Sequence, residues 1–158
     1  MKPAAPAMPE WNVAVFALLL SFPWEVLQAP LFAGMANAPH VEVIKGCLQA
    51  TLGDMVIMLI AYGSISLLAR NRRWVLAPSR RQLALFIAIG VAITAAIEWL
   101  ATRGHWVERW AYSQRMPVVP GVGIGLAPLV QWIVLPLLVV WFVRRQLAHG
   151  AAGHDEHA

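Results

Sequence analysis

An all-α integral membrane protein is the fold class this sequence predicts: a bundle of four transmembrane helices with both termini cytoplasmic. Three observations predict it. The 158 residues are 59% hydrophobic and 13% charged, with a mean hydropathy of +0.63, whereas a soluble domain has about 45–50% apolar and about 25% charged residues. The apolar residues gather into four runs, roughly Val13–Phe32, Cys47–Ala69, Leu83–Ala101 and Ile124–Val143. Each run is long enough, as a helix, to cross a hydrocarbon core of about 30 Å. Finally, eight of the twelve bases (Lys2, Arg70, Arg72, Arg73, Arg80, Arg81, Arg144 and Arg145) flank the runs on one side, which the positive-inside rule assigns to the cytoplasm. Four runs cannot close a barrel, and lipid offers an open strand no partners, so the spans are helical.

The formal charge of +4 is thereby absorbed by topology, and no nucleic-acid partner is expected. The expected location is the cell membrane, a bacterial inner membrane, as a multi-pass protein. Residues 1–148 read as one membrane domain, and 149–158 as a disordered cytoplasmic tail bearing His149, His154 and His157. A lone cysteine, Cys47, excludes an intrachain disulfide. The competing reading of the N-terminus is a signal peptide cut after Ala36-Asn37-Ala38. Pro39 after the cut and an n-region holding only Lys2 against Glu10 argue for a first membrane helix instead.

Along the chain, a short proline-containing lead precedes Trp11 at the inner interface. The first helix meets Pro23, which removes a backbone hydrogen bond, and carries Ser21, Glu25 and Gln28 on one face near its outer end. An outward loop, about Ala33 to Gly46, holds His40, Glu42 and Lys45. The second helix returns with Thr51, Asp54, Met58 and Tyr62 at helical spacing, and Trp74 with five arginines forms the inner loop. The third helix runs outward with Thr94, Glu98 and Thr102 on one face.

An outward amphipathic loop follows, in which His105, Glu108, Arg109 and Tyr112 would share one side of a short helix, with Trp106 and Trp110 on another. Pro117, Pro120, Gly121, Gly123 and Gly125 then demand a tight turn or a re-entrant loop. The fourth helix carries Pro128, Gln131 and Pro136, with Trp141 toward the inner surface. A faint repeat matches Glu25-Val26-Leu27 to Glu98-Trp99-Leu100 and places Asp54 in register with Gln131.

The candidate site follows from the acids. Glu25, Asp54 and Glu98 each sit in a different span, and no base lies within the spans. An ionised side chain at mid-bilayer costs about 2.5–3.5 kcal/mol on insertion scales. With the topology above, all three fall in the outer half, as does Gln131. A shared cavity accounts for that coincidence. Three neighbouring carboxylates in a low dielectric cannot all be ionised cheaply, so at least one raised pKa is expected, with relief from Arg103, Arg109 or Arg115 folded over the pocket, from a bound cation or from a held proton. Glu25, Asp54 and Glu98 are therefore the candidate catalytic residues. Gln28, Trp106, Arg109, Trp110, Tyr112 and Gln131 are the candidate substrate-binding residues.

The tryptophans Trp24, Trp99, Trp106 and Trp110 also suit an outer aromatic belt. His40 and His105 make no metal set by themselves, and no intramembrane histidine pair exists to hold a haem. The sequence names no metal and no cofactor.

Three functions fit. The first is an acid–base enzyme acting on a lipid or isoprenoid at the outer leaflet. The second is a homodimeric transporter coupled to a proton or cation. The third is a membrane assembly subunit without chemistry. The plan is similar to that of lipoprotein signal peptidases in helix number, cytoplasmic termini and outer acids, but their Asn- and Asp-containing motifs are absent. Small multidrug transporters also place a glutamate in the first of four helices, but they are shorter and lack a loop like the one after Glu98.

Overall fold

The computed structural model describes residues 8–105 and 110–155, with side chains to residue 147. The bundle consists of α1 (Pro9–Gln28), α2 (His40–Leu68), α3 (Arg80–Thr102) and α4 (Leu126–Asp155). Each is long and apolar enough to cross a membrane. No named strand occurs among the described residues. Three short 3-10 turns, Ala29–Leu31, Met35–Asn37 and Trp74–Leu76, lie in the connections.

Two helix boundaries differ from expectation. α2 starts at His40, so Glu42 and Lys45 belong to its first turns and not to a loop. Pro39 precedes the helix and Glu42 sits in its first turn, where an acid favours the exposed N–H groups. At the other extreme, the α4 backbone stays helical to Asp155, past the expected start of the tail at His149.

Each helix buries one narrow stripe. On α1 it runs Val13, Ala17, Ser21, Glu25, Gln28, and on α2 Cys47, Thr51, Met58, Tyr62, Ile65. On α3 it runs Phe86, Gly90, Thr94, Glu98, Ala101. The spacing of three and four places each set on a single face. The stripes are apolar toward the Arg70–Ser79 loop and polar toward the opposite end, so the core passes continuously into a polar cluster.

At the basic end, Trp74 is buried among Tyr62, stacked at 5.7 Å, and Phe86, edge-on at 5.4 Å. Its indole donates to Ser66 Oγ at 3.2 Å, and the Tyr62 hydroxyl donates to the Arg72 carbonyl. Trp74 is thus a plug under the bundle, packed against Tyr62, Ser66 and Phe86. Arg72 Nε pairs with Glu10 at 2.7 Å, and Arg144 Nε donates to the Leu76 carbonyl at 3.0 Å. Both the start of α1 and the cytoplasm-assigned stretch of α4 therefore meet this loop.

Gly90 lets α3 and α4 close. A Cβ there would lie 2.1 Å from the Trp132 ring, and Trp132 is 2% exposed. Gly90→Ala is expected to lower stability by about 1–3 kcal/mol through overpacking, outweighing its gain in helix propensity of about 0.8–1.0 kcal/mol. Thermal melting of the detergent-solubilised variant against wild type reads this as a lower Tm.

Candidate functional site

Seen from the polar end, four side chains from three helices form one network. Glu25 and Gln28 are one turn apart on α1, so the Gln28 amide folds back and donates to Glu25 Oε1 at 2.8 Å. The same nitrogen donates to Gln131 Oε1 on α4 at 3.2 Å. Gln131 Nε2 in turn donates to Glu25 Oε1 at 3.1 Å and to the Asp54 carboxyl on α2. The Trp24 indole, one turn before Gln28, donates to Gln28 Oε1 at 3.2 Å. Both amides thus use their oxygen and their nitrogen, which is the condition for burying them without penalty.

Glu25, Gln28 and Gln131 are buried, and Asp54 is half-buried. No Lys or Arg among the described residues bonds to either carboxyl. Among the described residues, the two acids are therefore held by neutral dipoles. Asp54 and Gln131, the positions matched by the faint repeat, bond to each other.

Glu98 belongs to a second cluster. Its Oε2 accepts from the Trp110 indole at 3.1 Å and from the Tyr112 hydroxyl. Tyr112 also accepts from the Gly125 backbone N–H at 2.9 Å, tying α3 to the loop and to the threshold of α4. Burial first, then the Glu98 carboxyl it donates to, push the Tyr112 phenol well above its ordinary range. Its proton stays in place as a donor at neutral pH. Glu98 stands within electrostatic reach of Glu25 but shares no hydrogen bond with it. The three candidate acids thus divide into a pair and a separate anchor.

The loops above the helices are knit together. Ala33 N–H donates to the Ala111 carbonyl and Ser113 N–H to the Leu31 carbonyl, each at 2.8 Å, about a bridge between Phe32 and Tyr112. The described end of the expected amphipathic helix, Trp110–Tyr112, is therefore extended, because its backbone groups are taken by the first loop. Residues 117–126 form a tight turn, with Val119 N–H on the Ile124 carbonyl and Leu126 N–H on the Pro117 carbonyl, each at 2.8 Å. Gly121 and Gly123 supply its positive φ angles, +80° and +72°. A cleft of about 280 Å³ opens between the two loops, edged by Asn37, Gln114 and Arg115, and none of the acids lines it.

Of the sequence-derived site residues, Glu25, Gln28, Asp54 and Gln131 are brought together. Glu98, Trp110 and Tyr112 meet in the adjoining cluster. Trp106 and Arg109, with Glu108, lie outside the described residues. Trp24 and Trp110 serve the two clusters as donors in addition to any belt role, whereas Trp99 is exposed, under the Arg103 guanidinium at 4.9 Å and stacked with His105.

Ser21 and Thr94, placed by the sequence on the acid-bearing faces but not among the site residues, have buried hydroxyls with no hydrogen-bond partner among the described residues. Their signal was present: each lies four residues before a glutamate, on the same helix face. Comparison with protein-family models, with curated proteins and with solved structures gives no match for this chain.

Tyr112→Phe removes one donor from Glu98 and the acceptor of the Gly125 N–H. Leaving such groups unsatisfied costs about 1–3 kcal/mol, so the variant is expected to melt lower. Its loop 105–125 should also become more sensitive to limited proteolysis, while Trp110→Phe, which removes one donor only, has a smaller effect on both readings.

Proposed function

We propose that the polar end of the bundle is the acid–base centre of a membrane-embedded enzyme working on a lipid or isoprenoid. Glu25 and Asp54 are its reacting groups. The observation that carries this reading is the single Gln131 amide donating to both carboxyls, with no Lys or Arg bonded to either among the described residues. Two carboxylates so close in an apolar surrounding repel each other strongly, and sharing one proton removes the repulsion.

Such a pair has one carboxyl able to donate a proton and one able to accept it, the two roles acid–base catalysis needs. Protonation of the substrate at one atom and deprotonation at another leaves the pair with its original charge. A membrane-dissolved substrate suits a centre whose approach is through apolar helix faces, since α1 and α2 expose Val26, Leu27, Leu48 and Leu52 beside it. Gln28 and Gln131 orient the carboxyls. Glu98 positions the outer loop through Tyr112 and Trp110, and Trp106 and Arg109 are candidates for contact with the substrate from that loop. The charge bias of the connections supports reading this end as the outer face, in a bacterial inner membrane.

The test compares lipid and pigment profiles of cells carrying wild type, Glu25→Gln, Asp54→Asn or Glu98→Gln at equal membrane abundance. General acid–base groups contribute about 10²–10⁴ in rate. The expected result is a product lost by at least about a hundredfold in Glu25→Gln and in Asp54→Asn, with a smaller loss in Glu98→Gln. Profiles unchanged in both pair variants would reject the enzyme. Ligand-driven proton release from purified dimers, or co-purification of a second chain, would then separate the transporter from the assembly subunit.

A further inference from the structure

The cleft between the outer loops has no part in the acid–base pair, yet it is a built feature. One wall is the segment after α1, with Pro30, Phe32 and Asn37, and the other is Ser113, Gln114 and Arg115. The walls are stapled at their base, where Ala33 N–H donates to the Ala111 carbonyl and Ser113 N–H to the Leu31 carbonyl, each at 2.8 Å. The Ser113 hydroxyl donates across to the Pro30 carbonyl and accepts from the Arg115 backbone N–H, each at 3.3 Å. The Phe32 ring packs on Tyr112 at 5.9 Å. Walls fixed in this way lower the ordering cost of binding.

The side chains at the rim suit an anion. Arg115 brings a guanidinium whose planar fork matches the oxygens of a phosphate or carboxylate. Asn37 and Gln114 add amide N–H donors. The volume, about 280 Å³, falls just below the range of about 300–1,000 Å³ for small-molecule pockets. A headgroup fits there and a whole lipid does not.

An apolar path leads to the same place. Trp11, Val15, Leu19, Pro23 and Leu27 recur every fourth residue along α1, and all are exposed. That spacing makes a ridge on the helix surface. Pro30, three residues past Leu27, is exposed too and carries the ridge into the cleft wall.

We propose that this cleft binds the phosphate group of a membrane lipid whose chain lies along the α1 ridge. A soluble anion has no use for the ridge, whereas a phospholipid or a phosphorylated isoprenoid uses both parts. Binding here does not require Glu25 and Asp54 to do chemistry. In the proposed enzyme it narrows the substrate to a phosphate-bearing lipid or isoprenoid, a step that rests on that proposal.

The test therefore needs no turnover. The purified full chain in non-ionic detergent is melted with dioleoyl phosphatidic acid, with dioleoylglycerol (the same tails without phosphate) and with sodium phosphate, at equal ionic strength. Phosphatidic acid is expected to raise the Tm saturably, and the other two are expected not to at the same concentrations. Arg115→Gln removes a charge-assisted contact, so its half-saturating concentration should rise by at least about tenfold. Arg103→Gln removes the same charge from an outer arginine whose guanidinium is bonded to the Val122 carbonyl at 2.8 Å, and should leave the response unchanged.

Four results would each overturn the site. An equal rise with dioleoylglycerol would mean tail burial alone, and an equal rise with sodium phosphate would mean a free ion. A response intact in Arg115→Gln would remove the anion contact, and equal losses in Arg115→Gln and Arg103→Gln would mean general surface charge. Phosphatidic acid binding together with a product profile indifferent to Glu25→Gln and Asp54→Asn leaves the lipid site standing and rejects the enzyme. Product loss in those variants without phosphatidic acid binding keeps the enzyme and rejects this site.

Discussion

Two carboxyl groups from different helices are held beneath the polar end of an apolar bundle by amide dipoles, with no base bonded to them among the described residues. An ion pair at that depth would carry a desolvation penalty of several kcal/mol per ion. Neutral donors avoid adding a second buried charge, but only if every donor and acceptor in the network is used. Gln28 and Gln131 meet that condition because α1 and α4 lie close enough for the two amides to bond each other while both reach Glu25. In the core beneath, Gly90 on α3 admits the larger Trp132 of α4. At the far end Trp74 closes the bundle and the Glu10–Arg72 pair ties α1 to the basic loop.

The acids have separate partners because their surroundings differ. Glu25 and Asp54 face amides and the Ser21 hydroxyl, all within the helices. Glu98 faces an indole and a phenol supplied by the loop, and Tyr112 passes the connection on to Gly125 at the threshold of α4. Removing the Glu98 carboxyl disturbs the roof before it disturbs the pair. These bonds fasten the loop to the third helix, while the carboxyls beneath keep their own partners.

The four helices were legible because hydropathy over about 20 residues is a strong signal, and the buried faces were legible from spacings of three and four. Ser21, Glu25 and Gln28 could be placed together on α1, and Asp54 in register with Gln131, from sequence positions alone. The start of α2 was not legible: Glu42 and Lys45 look like loop residues, and only the acid in the first turn marks the earlier start. The division of the acids was hidden too. Glu98 reaches Tyr112 across a turn whose shape is set by backbone pairing between Ala33 and Ala111 and between Leu31 and Ser113, and backbone pairing leaves little trace in residue types. Tryptophans at an interface look alike in sequence whether they face lipid or, like Trp24, donate inward.

The junction of Asp54 with Gln131 is the contact from which the rest of the site is assembled, and a double-mutant cycle measures it most directly. Asp54→Leu, Gln131→Leu and the double variant would be compared with wild type by thermal or denaturant unfolding in one detergent. Contacting residues show interaction energies of about 0.5–3 kcal/mol, whereas independent sites add to within about 0.3–0.5 kcal/mol. A coupling inside the first range is the predicted result. Simple additivity would mean that the two side chains do not meet, and the pair held by a shared amide would have to be abandoned.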